Sequence, residues 1–304
     1  MKTISIIINL EKDEKLLNTI NYLKILVKYN FDIWLENLHK EIVLKYFNEL
    51  DFDSENRVNF SSKIDIIKRS DLVIIIGGDG TILRHFVDII KFRKPIFGIN
   101  HGTLGFISQA EKNDDVILNE FFLGNFIVDS RMILEAKIQK YKLKNKNGNK
   151  TKTKTEKLFA LNEVVVNRSN FSKIINMNLF VGGKKAAFYS ADGIIISTPT
   201  GSTAYSLSAG GPVLHPNVNA IVITPICPHT LSARSFVVPD NKKIQIFASL
   251  PVENNITVCV DGKEGKFFVE ECCVEIVKSR YKANFVKLKD SNFFEIFRKK
   301  FSSR

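Results

Sequence analysis

Residues 71–86 read DLVIIIGGDGTILRHF: an unbroken apolar run, three glycines around one acid, then a helix-like pattern. A buried strand that turns through Gly77-Gly78-Asp79-Gly80-Thr81 into a helix is the strand-to-helix unit of a parallel sheet, with its ligand side at the strand's carboxyl end. Glycine lets the backbone take positive φ and come close to a ligand. A helix starting near Thr81 points free N–H groups and a positive dipole end at the same place, which suits phosphate. Yet the one charged residue in the turn is an acid, which phosphate repels. The pentapeptide is neither a GxxxxGK[ST] loop nor a GxGxxG fingerprint. At this point Asp79 is open between a turn or N-cap residue and a working carboxylate.

The surrounding chain repeats the pattern. TISIIINL, FDIWLEN and KPIFGINHG read as strands, and LLNTINYLKILVKYN and TILRHFVDIIKF read as helices. This alternation predicts a parallel sheet with helices on both faces. From about Ser130 the rhythm changes to a series of strand-like stretches separated by turn residues, including MILEAKIQKYKL, LFALNEVVVNR, IINMNLFVGG, AAFYSADGIIIST and ITVCVDG. Their period-two alternation predicts a mostly antiparallel domain. SNFFEIFRKKF closes the chain as an amphipathic helix able to pack back on the first domain. The expected division is an α/β domain over 1–129, completed by about 283–304, and a β-rich domain over 130–282.

Three further stretches carry chemistry. NHGTLGF (100–106) offers a second close-approach loop at Gly102 and Gly105, with Leu104 and Phe106 as packing anchors; alone it reads as a structural turn. Asn162-Glu163 puts two polar residues at the centre of the apolar run LFALNEVVV, where a buried carboxylate needs a partner. A carboxylate can accept from both hydroxyls of a ribose, and an Asn can pair with the N6/N7 edge of adenine. An internal ion pair explains them equally well. ADGIIISTPTGSTAYSLSAGGPVLHP (191–216) runs a buried strand into a turn dense in Thr198, Thr200, Ser202 and Thr203. That turn reads as a hydrogen-bonding surface. The small residues after it leave room for a flat ligand, and Tyr205 offers a stacking face. A hydroxyl-rich cap explains one or two of these residues. His215 and His229, beside prolines, fit no metal spacing and are expected to be structural.

Composition narrows the class. The formal charge is +12, but nine lysines between Lys137 and Lys157, opposed by Glu156 alone, carry most of it. They flank an Asn147-Gly148 turn, so the segment reads as a solvated hairpin tip rather than a nucleic-acid surface. No apolar stretch approaches the ~20 residues that span a bilayer, and the N-terminus reads as a first strand, not a signal peptide. Four cysteines without a CxxC pair suit a reduced, cytoplasmic protein without structural zinc.

GGDGT, NHGTLGF, LNE, ADGIIISTPTGSTAYSLSAGGPVLHP and ITPICPHTLSARSFVV occur in this order over roughly residues 73–238. Together they closely resemble the bacterial NAD kinases. The long fourth motif is specific, whereas GGDGT is shared with diacylglycerol and sphingosine kinases. The resemblance implies a Rossmann-like α/β N-terminal domain, a β-rich C-terminal domain and a C-terminal helix returning to the first. It implies transfer of the ATP γ-phosphoryl group to the adenosine 2′-hydroxyl of NAD, with Mg²⁺ or another divalent cation carried on the ATP phosphates and no protein metal site. Asp79 matches the catalytic aspartate and Gly80 its neighbour at the dinucleotide. Asn162 and Glu163 match the pair holding adenine and ribose, and Asp192 the acid near the nicotinamide carboxamide. Thr203, Ala204, Tyr205 and Ser208 match the segment lining the adenine and nicotinamide ends. Ser190 stands where some members carry a basic residue; Arg84, Lys173 and Lys263 are further candidates for contacts to phosphate or substrate. The resemblance also implies a homodimer or homotetramer, with ATP or polyphosphate as donor. Neither a membrane nor nucleic acid is an expected partner. The same residues also admit a lipid kinase sharing GGDGT and a non-catalytic NAD-binding regulator.

Overall fold

The computed structural model describes residues 3–11, 13, 16–49, 57–100, 105–108, 115–143, 150–152, 156–169, 174–230, 232–249, 255–269, 271–289 and 292–301. The chain forms two compact units, residues 1–130 with 281–304, and residues 131–280. The Asn147-Gly148 turn, Gly102, Leu104 and Lys173 lie outside the described residues.

The first unit contains β1 (Thr3–Ile8), α1 (Leu17–Lys28), β2 (Asp32–Glu36), α2 (Lys40–Glu49), β3 (Val58–Ser61), α3 (Lys63–Arg69), β4 (Leu72–Ile76), α4 (Asp79–Lys91), β5 (Ile96–Ile99) and α5 (Asp115–Phe122). Its strands pair in parallel in the order β3-β2-β1-β4-β5. The apolar runs of β1 and β4 are almost wholly buried, as expected of strands covered on both faces. Ile4, Ile6, Ile74 and Ile76 join Leu23, Leu26, Phe97 and Phe121 in one core, where the Phe97 and Phe121 rings stack at 4.8 Å. The strand order reverses between β1 and β4, and in sheets of this kind that is where ligands bind. GGDGT follows β4 at this place.

The second unit is built from β6 (Phe126–Leu143), which begins in the first, then β7 (Lys150–Lys152), β8 (Glu156–Ala160), β9 (Glu163–Arg168), β10 (Ile175–Val181), β11 (Lys184–Ala191), β12 (Gly193–Ser197), the single turn α6 (Tyr205–Ser208), β13 (Ala220–Ile226), β14 (Phe236–Pro239), β15 (Ile244–Ser249), β16 (Asn255–Val260) and β17 (Lys263–Val269). The long strand β18 (Glu271–Leu288) ends in the first unit, where Phe285 pairs in parallel with Ile96. One antiparallel sheet runs β14-β13-β12-β9-β16-β17. Strands β11, β10, β15 and the first part of β18 pair antiparallel in another. The lysine-rich segment pairs β6 with β7 and β8.

Two runs that read as single strands are each divided between sheets. LFALNEVVV breaks at Leu161-Asn162: β8 pairs with β6, whereas β9 joins β12 and β16. AAFYSADGIIIST breaks at Asp192, with β11 beside β10 and β12 beside β9 and β13. Apolar alternation continues through both bends because the residues on each side face the same core, which holds Ala160, Val164, Ala191 and Ile194 together.

The terminal helix α7 (Phe293–Phe301) lies against the first unit's own loop. Phe293, Phe297 and Phe301 approach the Phe106 ring at 6.3, 6.4 and 6.2 Å, and the Lys300 ammonium lies 5.2 Å from its centroid. Among the described residues, no helix is long and apolar enough to cross a membrane.

Phe97→Ala should cost about 3–5 kcal/mol, the usual loss when a buried aromatic leaves a cavity. The denaturant midpoint of the transition that unfolds the α/β unit measures it.

Candidate functional site

The site residues fall into two groups, one in each unit. In the first unit the turn after β4 is set by steric limits rather than by uniformly unusual backbone. Gly77 has φ +154°, and a Cβ there would sit 2.5 Å from the Thr81 hydroxyl. Gly78 is extended and caps α4, which begins at Asp79, two residues earlier than the pattern predicts. Gly80 does not supply positive φ as expected. It lies in the first turn of α4, exposed, with nothing within 4 Å of an added Cβ, so it leaves open space beside the helix start. The Asn9 amide, just past β1, donates to Thr81 Oγ1 at 2.9 Å and ties the two sides of the strand-order reversal.

Asp79 is held by the loop after β5. Its Oδ2 accepts the Phe106 N–H at 2.9 Å, and its Oδ1 accepts the Ser108 N–H at 3.1 Å and the Ser108 hydroxyl at 2.9 Å. The Gly105 N–H donates to Ser108 Oγ at 3.1 Å. A Cβ on Gly105 would lie 1.9 Å from Asp79 Oδ1, so only glycine admits the carboxylate. A carboxylate offers about four acceptor positions, and these three donors fix its orientation while leaving room for one more. Ser108, two residues beyond NHGTLGF, had no sequence signal of its own; a lone serine after a glycine loop is too common a pattern.

Arg84, on the exposed side of α4, meets Glu11 at 4.0 Å, an exposed pair of little energetic weight. It borders a cavity of about 260 Å³ beyond β1 and β2, together with Asn9, Glu36, His39 and His85.

In the second unit the bend between β8 and β9 is clamped from both sides. The Asp261 carboxylate accepts the backbone N–H groups of Leu161, Asn162 and Glu163 at 2.8, 2.8 and 3.0 Å. The opposite carbonyls are taken by the residues at and just past the end of β12: Thr198 Oγ1 donates to Leu161 O at 2.6 Å, and Thr198 N and Ser197 Oγ donate to Asn162 O at 2.9 and 3.2 Å. Glu163 is 5% exposed, and its Oε2 has no hydrogen-bond partner among the described residues. Burial pushes its carboxyl up to about 8, the nearby Asp261 charge adds to this, and the Tyr205 N–H opposes it. Burial likewise raises Asp261 to about 6, against the three N–H groups and the charge of Lys263.

Most of the hydroxyl-rich turn is spent internally, which corrects the expectation of a ligand-facing hydroxyl surface. Thr198, Thr200, Ser202 and Ser206 are buried. Ser202 Oγ donates to Pro199 O and accepts the Leu214 N–H, Ser206 Oγ pairs with Thr224 Oγ1, and Arg131 donates to Thr200 Oγ1. A short turn whose backbone groups have no strand partner must satisfy them with side chains. Ser208 and Tyr205 do lie outside, Tyr205 45% exposed, while Thr203 and Ala204 are half-buried. Burial raises the Tyr205 phenol, and the neighbours that add to the effect are Cys227, Asp192, Cys259 and Glu163. Tyr205, Asp192 and Glu163 therefore share one neighbourhood. Asp192 Oδ1 pairs with Arg168 at 2.9 Å; Arg168 sits one residue from the opposed Asn167–Gly193 register and was not singled out by the sequence. Ser190 is half-buried on β11, its carbonyl accepting the His229 N–H, and Lys263 is exposed.

The Glu163 shift has a sign for stability. Between its ordinary value of 4.5 and about 8, the folded protein keeps a proton that the unfolded chain has released. Stability therefore falls as pH rises through that window, by up to about 1.4 kcal/mol per pH unit. Glu163→Gln removes this dependence, so thermal melts should show its gain over the parent growing from about pH 5 to about pH 8.

The family model described as ATP-NAD kinase N-terminal domain matches residues 4–123, and that of the C-terminal domain matches residues 161–288. The NAD kinase of Thermoanaerobacter sp. (strain X514) is 36% identical over 306 residues, covering both chains fully. That of Carboxydothermus hydrogenoformans is 37% identical over 270 residues, 86% of this chain and 92% of its own. Among solved structures, yeast NADH kinase complexed with NADH superposes with a TM-score of 0.79 at 25% identity, covering 100% of this chain and 88% of that one. An NAD kinase from Archaeoglobus fulgidus in complex with ATP shares the fold, with a TM-score of 0.64 at 24% identity and full coverage of both. A lipid kinase sharing GGDGT leaves the match over the second unit unexplained. The chain belongs to the NAD kinase family.

Proposed function

We propose that the protein transfers the γ-phosphoryl group of ATP to the 2′-hydroxyl of the adenosine ribose of NAD, giving NADP and ADP, with Asp79 as the catalytic base. The observation that carries this is the Asp79 carboxylate, fixed by three donors at the start of α4. A ribose hydroxyl is a poor nucleophile at neutral pH, and phosphoryl transfer leaves the protein chiefly positioning and charge compensation to supply. The free amides at the α4 N-terminus face the donor's phosphates. The Asp79 carboxylate, oriented by Phe106 and Ser108, takes the 2′-hydroxyl proton as the oxygen–phosphorus bond forms and the bond to the ADP oxygen breaks. Alignment of hydroxyl and phosphorus contributes about 7–11 kcal/mol.

The acceptor lies on the second group. Asn162 and Glu163 hold the adenine and ribose, and Asp192 holds the nicotinamide carboxamide. Thr203, Ala204, Tyr205 and Ser208 line the two ends of the dinucleotide. Glu163, protonated near neutral pH, can donate as well as accept toward a ribose hydroxyl. Arg84, Lys173 and Lys263 are the cations offered to phosphate groups, with Ser190 beside Asp192. Among the described residues no group of three or more His, Cys, Asp or Glu could cage a metal. Asp79 is the carboxylate that would meet a divalent cation carried on the ATP phosphates. When bound, that cation offsets the phosphate charge. A homo-oligomer and a cytoplasmic location belong to the same proposal.

Purified protein incubated with NAD, Mg²⁺ and ATP should form NADP, detected with an NADP-specific dehydrogenase; no NADP with ATP or polyphosphate as donor overturns the reading. Asp79→Asn should lower kcat by roughly 10²–10⁴-fold with NAD affinity largely kept. Gly105→Ala, which displaces the same carboxylate without touching its charge, should reproduce the loss in kcat. Near-parental turnover in Asp79→Asn removes the base role.

A further inference from the structure

We infer that Asp261 is a positioning residue for the dinucleotide, holding the Asn162-Glu163 bend in its binding geometry through the three backbone N–H groups that its carboxylate accepts. The inference rests on the proposed assignment of Asn162 and Glu163 to NAD.

By sequence Asp261-Gly262 is an ordinary two-residue hairpin turn. Asp261 has φ +49° and Gly262 φ +68°, and Val260 opposes Lys263 across it. Left-handed backbone at both positions defines the type I′ turn, for which Asn-Gly and Asp-Gly serve equally well. The turn alone therefore gives no reason for a carboxylate, and none for burying one to 7% exposure.

The hydrogen bonds supply the reason. Oδ2 takes the Leu161 N–H while Oδ1 takes those of Asn162 and Glu163, and the Asp261 N–H returns to Glu163 O at 3.1 Å. Both carboxylate oxygens are needed as acceptors. An Asn would turn its NH₂ toward at least one of the three N–H groups, placing donor against donor. The clamp stands where the chain leaves one sheet for another, at Leu161 and Asn162, which lie between β8 and β9. Behind it the bend cannot retreat, because Gly201 passes so close that a Cβ there would lie 2.2 Å from Asn162 O. Two backbones and one carboxylate thus fix the bend from which the Asn162 and Glu163 side chains project.

Asp261→Asn keeps the turn chemistry and removes one acceptor, so it separates the clamp from the hairpin. The full-length variant should show a KM for NAD raised at least about tenfold, as expected when a charge-assisted acceptor is lost from a buried donor. Its KM for ATP should stay within about twofold and its kcat within about threefold of the parent. Gly262→Ala strains the same turn but leaves the carboxylate, and should not reproduce the selective rise. A KM for NAD within about twofold of the parent in Asp261→Asn overturns the inference. So does a matching loss in kcat and both KM values in the two variants, which marks a general hairpin brace. If the parent makes no NADP, the proposed function fails separately. Calorimetric NAD binding to parent and Asp261→Asn then decides the inference alone, with equal affinities overturning it.

Discussion

The three hydrogen bonds from the 105–108 loop to the Asp79 carboxylate tie together the parts of the α/β unit that matter for chemistry. They join the turn after β4 to the turn after β5, so the ends of two adjacent parallel strands are braced by one side chain. Hydrogen bonds to a charged acceptor contribute about 1.5–3 kcal/mol each, enough to hold the loop in one arrangement. Phe106 extends the brace, since its N–H grips Asp79 while its ring lies against Phe293, Phe297 and Phe301. The last helix of the chain thereby supports the orientation of a carboxylate more than two hundred residues earlier in sequence.

The second unit solves a different problem. Asn162, Glu163 and Asp192 sit at bends where a strand passes from one sheet to another, and a bend loses the ladder that satisfies backbone amides and carbonyls. Side chains replace the ladder. Asp261 serves the amides at Leu161–Glu163, and Thr198 and Ser197 serve the carbonyls. At the other bend, Asp192 exchanges backbone bonds with Arg168 and Ile226 while its carboxylate meets the Arg168 guanidinium. Bends of this kind interrupt an apolar sheet with fixed polar side chains, which suits them to hold a polar ligand.

The glycines divide by the same logic of close approach. Gly105 admits Asp79, Gly201 admits the backbone of Asn162, and Gly211 lies where a Cβ would meet the Ser206 and Thr224 hydroxyls. None of the three has positive φ; each is glycine because another atom occupies the space of its Cβ. Such a requirement is invisible along the chain, because the crowding atom comes from a distant segment.

By itself the sequence determined the parallel sheet, the strand-to-helix turn at GGDGT, the antiparallel second half and the amphipathic last helix. Hydrophobic period and glycine placement are local signals, and buried strands and helix faces obey them. It also marked Asp79 as the one acid in a glycine turn, Glu163 as a polar residue in an apolar run that needs a partner, and Tyr205 as a stacking face, while Asp192 stood out through the resemblance to the NAD kinases. Tertiary structure alone decided what those partners are. Only the fold shows that LFALNEVVV is two strands in two sheets, that Thr198 and Ser202 brace backbone, and that Ser108, Arg168 and Asp261 stand beside the marked residues. The physical reason is that hydrogen bonds and close contacts join residues far apart in the chain, and a one-dimensional pattern records burial but not the neighbour that causes it.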